Sequence, residues 1–136
     1  MSSRQFILDT DILSFLMRQN VAVLARGNAY LSEHRQFTIS IITRYEILRG
    51  LKAKGADQQA SRFEDFCAKS RVLSITDDVV LRAADIYADL YKRGELIGDA
   101  DILISASALV NGCGIVTNNE GHFRRIKNLH VVNWLK

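Results

Sequence analysis

The chain has no proline and only two cysteines in its 136 residues. With no proline-rich stretch, low-complexity tract or internal repeat, nothing marks a linker. One domain is expected over residues 1–136, long enough to bury a real core. Cys67 and Cys113 stand alone, with no C-x-x-C and no histidine at zinc-ligand spacing. That argues against a thiolate zinc site and for two free thiols in a reducing, cytoplasmic setting. His34, His122 and His130 are scattered and read as surface or core histidines. No apolar run approaches the roughly 20 residues of a membrane span. Met1-Ser2-Ser3-Arg4-Gln5 leads straight into a strand-like segment, so no signal peptide and no membrane contact are expected.

Hydrophobic residues make up 48% of the chain and charged residues 24%, ordinary for a globular protein. A net charge of +3 is mild. It becomes informative if several acids share one pocket, because the remaining surface is then distinctly basic. A negative hole in a positive surface suits a polyanion brought to a metal.

Residues 5–8 read as a short buried strand ending at Asp9, and 12–17 and 21–31 have helical spacing. Residues 37–40 form a second strand, 42–54 a helix stopped by Gly55, 58–69 another helix and 72–75 a third strand. Asp77 is expected to cap a long helix that runs to Arg93 and ends at Gly94. Asp99 opens a helix apolar on nearly every side, closed by Asn111-Gly112, and such a helix belongs in the centre of a fold. A strand at 114–117, a turn of helix at 122–126 and a last strand at 130–133 complete the chain. Strands alternating with helices predict an α/β sandwich around a mostly parallel sheet, whose ligands bind beyond the carboxyl ends of the strands. Asp9 and Asp11 follow the first strand, Ser40 and Thr43 the second, and Asn118 to Glu120 the fourth, while Asp99 and Asp101 open the helix leading into the fourth. The topology directs all of them to one edge.

Each acid also has a plain structural role open to it. Asp9, directly after Phe6-Ile7-Leu8, is a candidate ligand, although a cap on the next helix would use it equally, and Thr10 or Asp11 could supply that cap. Thr43-x-x-Glu46 matches a capping box, so only convergence with the other acids makes Glu46 a metal ligand. Asp99 suits a cap or an outer ligand. Asp101, in a nearly all-apolar helix, has little structural reason to be charged. Two like charges about 4 Å apart repel by roughly 4 kcal/mol at an effective dielectric near 20. Clustered carboxylates therefore protonate or separate unless a divalent cation neutralises them. Oxygen ligands without His or Cys suit Mg²⁺ or Mn²⁺, which can generate hydroxide from water and stabilise an oxyanion leaving group. Phosphodiester hydrolysis is the matching reaction class.

The segments Leu8-Asp9-Thr10-Asp11, Thr43-Arg44-Tyr45-Glu46-Ile47-Leu48-Arg49-Gly50, Ile97-Gly98-Asp99-Ala100-Asp101-Ile102, Ile115-Val116-Thr117-Asn118-Asn119 and Val132-Asn133-Trp134 occur in that order over nearly the whole chain. Together they resemble the PIN-domain nucleases, and within them the VapC toxins of toxin–antitoxin pairs. The resemblance implies a five-stranded parallel sheet and a Mg²⁺- or Mn²⁺-dependent endoribonuclease with catalytic acids at Asp9, Glu46 and Asp101. Metal ligation falls to Asp9 and Asp101, joined by Glu46, Asp99, Asn119 and Glu120 as further candidates. Thr10, Asp11, Thr43, Thr117 and Asn118 are expected to support them. The implied partners are an RNA substrate, a cognate VapB-like antitoxin, a second copy of the chain and higher assemblies with the antitoxin. The family's fourth acid falls on Asn119, with Glu120 as the candidate to compensate, and Asp11 stands where relatives often carry asparagine. For RNA contact the candidates are Arg44, Arg49, Arg124 and Arg125.

Two other readings stay open. Asp9-Thr10-Asp11 also resembles the D-x-D of aspartate-nucleophile phosphatases, though Leu13 stands where that family wants Thr or Val and only Lys92 is available as its lysine. A non-catalytic module that binds RNA or a partner is the other.

Overall fold

The structure is a computed structural model and describes residues 3–136. Five strands, β1 (Phe6–Leu8), β2 (Thr38–Ser40), β3 (Arg71–Leu73), β4 (Gly114–Val116) and β5 (Val131–Val132), form one sheet in the order β3-β2-β1-β4-β5. Every pairing is parallel, with Ile7 opposite Thr38 and Leu8 opposite Val116. Such a sheet is covered on both faces, which is why its central strands are continuous apolar runs. Alternate side chains enter different layers. Leu8 and Val116 join Ile12, Leu13, Phe63 and Trp134 on one side, while Ile7 and Ile115 join Ile104, Ala108 and Phe123 on the other. Gly114 is required where β4 meets β1, because a Cβ there would stand 2.5 Å from the Phe6 ring and 2.8 Å from the His130 carbonyl.

Seven helices connect and cover the strands among the described residues: α1 (Thr10–Met17), α2 (Val21–His34), α3 (Ile41–Ala53), α4 (Asp57–Ala68), α5 (Asp77–Arg93), α6 (Asp99–Val110) and α7 (Glu120–Phe123). None of them is long and apolar enough to cross a membrane. Helix α6 is central as its composition predicts, with Ile102, Ile104, Ser105, Ala106, Ser107 and Ala108 buried. Val79, Ala83, Ile86 and Leu90 of α5 pack against it. Gly94, at φ +68°, ends α5 in the left-handed region. Both cysteines are buried free thiols.

Several boundaries differ from the sequence reading. The third strand is Arg71–Leu73 rather than 72–75, because Ile75 leaves the ladder and packs with the α5–α6 cluster. Thr76, not Asp77, caps α5, accepting from Val79 N at 3.3 Å. Ser40 caps α3 through Ile42 N at 3.0 Å, so Thr43 lies inside the helix and the capping box does not form. Gly98 occupies the N-cap of α6 without a side-chain bond, which makes Asp99 the first helical residue rather than the cap. The turn of helix at 122–126 is α7, starting at Glu120.

The sheet order reverses between β1 and β4, the crevice where parallel sheets bind ligands. At its carboxyl edge the ladder continues past the strands through Asp9 N to Val116 O and Thr117 N to Val132 O, both 2.9 Å. The ends of β1 and β4, and the residues that follow them, are thus fixed relative to each other.

Candidate active site

Asp9 is both the last ladder residue of β1 and the N-cap of α1, so two backbone constraints aim its carboxylate. Its Oδ1 accepts from Thr10 N at 2.9 Å and its Oδ2 from the buried Thr117 hydroxyl at 2.8 Å. Capping and site roles therefore coincide in one residue. Thr117 Oγ1 also accepts from Asn119 N at 2.9 Å, which sets the turn after β4. Asp11, in the first turn of α1, accepts from Ile12 N and from Asn118 N at 3.1 Å. That second bond closes the rim between the β1 and β4 ends.

From α3, Glu46 points into the same rim rather than back along its own helix. Its Oε1 accepts from the Thr10 hydroxyl at 2.7 Å, and Thr10 is hydrogen-bonded at 3.1 Å to the buried hydroxyl of Thr43. From the start of α6, Asp101 Oδ2 lies 3.1 Å from His122 Nδ1, and Asn119 Nδ2 lies 2.8 Å from the same nitrogen. His122 is a site residue that its isolated position in the sequence hides. The only local signal is its place three residues after Asn119, on the helix that follows β4.

Asp9 carries the electrostatic signature of the group. Burial, then the charge of Asp11, then that of Asp101 push its carboxyl from 3.8 up to about 7, against the pull of Thr117 and Thr10 N. Asp11 is raised as well, mainly by burial and further by Asp101, while the amides of Ile12 and Asn118 oppose the shift. Among the described residues, no lysine or arginine forms an ion pair with Asp9.

Glu120 does not join these acids. Its oxygens pair with Arg124 at 2.7 Å and Lys136 at 2.8 Å and accept from Asn133, and with Lys136 foremost they hold its carboxyl down to about 2. This carboxylate is already matched by two cations, so the geometry gives no support to the sequence-based expectation that Glu120 compensates for Asn119. Asp99 is exposed at the helix start and makes no side-chain hydrogen bond to the cluster. Asn118 supports the rim twice, through its amide to Asp11 and through its side-chain oxygen, which accepts from Asn133 at 3.0 Å. Of the arginines, Arg44 is clamped by Glu64 with two bonds of 2.8 Å, and Arg125 reaches the carbonyls of Glu95 and Leu96. Arg124 is held by Glu120. Arg49 is the arginine beside a site acid, 3.9 Å from Glu46 and stacked 5.2 Å from the Tyr45 ring centre.

Among the described residues, no group of three or more His, Cys, Asp or Glu side chains is arranged to hold a metal ion as the side chains stand. The donor set nevertheless fits a hard divalent cation. Mg²⁺ commonly takes only one or two carboxylates and keeps several waters. Asp9, buried beside two other acids with only hydroxyl and amide donors around it, lacks the positive charge its ionised form needs.

The PIN domain profile matches residues 6–129. Ribonuclease VapC2 of Haemophilus influenzae is 30% identical over 133 residues, spanning 96% of this chain and 98% of the relative. The tRNA(fMet)-specific endonuclease VapC of Shigella flexneri is 28% identical over 131 residues, with 96% and 98% covered. The DNA-bound VapBC crystal structure from Salmonella typhimurium superimposes with a TM-score of 0.86 at 27% identity, over 97% of this chain and 99% of that one.

Proposed function

Because the chain belongs to the PIN-domain family, we propose that it is an endoribonuclease, the toxin of a toxin–antitoxin pair, which hydrolyses RNA phosphodiester bonds with Mg²⁺ or Mn²⁺ and is silenced by a cognate VapB-like antitoxin. Residues 1–136 are read as one PIN domain working in the cytoplasm. The observation that carries the reading is the burial of Asp9 at the β1–β4 crevice, with Asp11 and Asp101 as its acidic neighbours and no ion-pair partner among the described residues.

Asp9 and Asp101 are the residues that would hold the cation, with Glu46 at the edge of the site. When bound there, a divalent cation would supply charge neutralisation at the scissile phosphate and a more acidic water. Thr117 and Thr10 N keep the Asp9 carboxylate in one orientation. Thr10 does the same for Glu46, leaving its other oxygen to take a proton from water. Arg49, exposed beside Glu46, is placed to hold a backbone phosphate once RNA draws it from the acid. Asn119 provides no charge, so one tightly held cation is the expected complement.

A basic side chain of the antitoxin entering the rim would satisfy the same acids, a direct route to inhibition and to higher assemblies. Self-association has its own support in α5, which exposes Val80, Tyr87 and Tyr91 on one face. Antiparallel contact of two such helices would set Asp77 and Asp78 against Lys92 of the other copy. A phosphatase is less well supported: both Asp11 oxygens are engaged by backbone amides, which leaves it poorly free to act as a general acid.

The test is to express the chain with and without Asp9→Asn, map RNA 5′ ends in both, and repeat in chelator. Discrete new ends that need both the carboxylate and the cation are expected, with tRNA the first substrate to inspect. Cleavage that persists without either would overturn the reading.

A further inference from the structure

We propose that His122 is a positioning residue that holds Asp101 for the cation through its Nδ1–H, at the corner of the site where Asn119 stands. The inference rests on the metal-dependent reading of the site.

Three groups from two elements converge here. Asp101 Oδ2 is 3.1 Å from His122 Nδ1, and the Asn119 side-chain amide is 2.8 Å from the same nitrogen. An imidazole nitrogen without hydrogen would face the carboxylate lone pair to lone pair at that distance. With the hydrogen on Nδ1 the contact becomes a charge-assisted hydrogen bond. Nδ1–H requires the Asn119 side-chain amide to be turned end for end, so that its Oδ1 rather than its Nδ2 lies 2.8 Å from the ring nitrogen; the neutral Nδ1–H tautomer then donates to both neighbours. Nothing else in the hydrogen-bond pattern orients the Asp101 side chain among the described residues: its backbone carbonyl is engaged by Ser105 Oγ at 2.8 Å, but its carboxylate meets His122 alone.

Asp9 and Glu46 are each aimed by a threonine hydroxyl, whereas Asp101 is aimed by an imidazole. The parallel gives every inner acid one side-chain donor. Partners that orient a ligand in this way are typically worth roughly 10- to 100-fold in metal affinity. His122 sits on α7, whose Phe123 is fully buried against the β4 layer. Its backbone is therefore anchored while the ring remains partly open to solvent, with 41% of the side chain exposed.

The experiment compares His122→Ala, His122→Asn and His122→Gln in the full chain. Mn²⁺ binding is followed by calorimetry, and RNA cleavage is followed against Mn²⁺ concentration. Asparagine places an N–H close to the Nδ1 position and glutamine close to Nε2, so the pair separates a positioned donor from simple bulk. Expected are about tenfold or weaker Mn²⁺ binding for His122→Ala and His122→Gln, and near wild-type binding for His122→Asn. Maximal cleavage should be largely recovered at saturating Mn²⁺. Equal Mn²⁺ affinity in wild type and His122→Ala overturns the inference, as does rescue by glutamine but not asparagine. If wild type binds Mn²⁺ in the predicted pattern yet cuts no RNA, the nuclease reading fails while the role of His122 stands. A wild type that binds no Mn²⁺ overturns both.

Discussion

Replacing Asp9 by asparagine should make the metal-free protein more stable while destroying its activity. Asparagine keeps the acceptor for Thr10 N, and the Thr117 hydroxyl can reverse to accept from the new amide. What disappears is a buried carboxylate that the fold disfavours. The sign follows from linkage. Asp9 holds its proton more tightly folded than unfolded, its carboxyl lying at about 7 rather than 3.8. The stability tied to that proton is complete below the unfolded value. It declines as pH rises from near 4 and is gone above the folded value of about 7. A difference of about three pH units corresponds to on the order of 4 kcal/mol, the ceiling on what ionising Asp9 costs the fold. In urea titrations without metal, wild type should therefore weaken between pH 4 and 8, and Asp9→Asn should weaken less. The variant should be the more stable by about 2–4 kcal/mol at pH 8 and nearly equal at pH 4. Saturating Mg²⁺ should raise wild type towards the variant at pH 8 and leave the variant unchanged. A variant that is less stable than wild type by the same margin at both pH values would refute the reasoning, because Asp9 would then be a helix cap and nothing more.

Glu46→Gln keeps the Thr10 hydrogen bond, so unfolding should shift by no more than about 0.5 kcal/mol while cleavage falls by roughly 100-fold or more; unchanged turnover would confine Glu46 to a structural role. Thr117→Val removes the hydroxyl bonded to Asp9 and strands the Asn119 amide. A loss of about 1–3 kcal/mol is expected by urea titration, with a higher Mg²⁺ requirement in cleavage assays. Tyr87→Glu puts charge on the exposed face of α5, and sedimentation should show the dimer shifting to monomer with the fold intact by circular dichroism; an unchanged sedimentation profile would place the self-contact elsewhere.

Much of the architecture was legible because the apolar runs at Phe6-Ile7-Leu8 and Gly114-Ile115-Val116 can be little else than buried parallel strands. The helix that opens at Asp99 declares its central place by being apolar all round. Cap assignments failed where polar residues offered neighbouring choices, as at Ser40 against Thr43 and Thr76 against Asp77. Which oxygen reaches a free N–H depends on a backbone torsion that composition does not encode. The end of β3 was misplaced because Ile75 is apolar for the helix layer, not for the sheet. In the site, Asp9 and Asp101 stood out as candidates from their strand-tip and helix-start positions, whereas Glu46 was singled out only by its convergence with the other acids. Arg124, four residues after Glu120 on one helix, was a visible warning that Glu120 would be paired. His122 was not legible, since its contact with Asp101 spans 21 residues and exists only once α7 folds over α6.

The central claim is that acids distant along the chain share one cation at the β1–β4 rim. Crystals grown with Mn²⁺, with data collected at the manganese absorption edge, test it most directly. One anomalous peak touching the carboxylates of Asp9 and Asp101, with Glu46 beside it, is the predicted result. A map with no peak at that rim, or with those side chains turned away from each other, would contradict it.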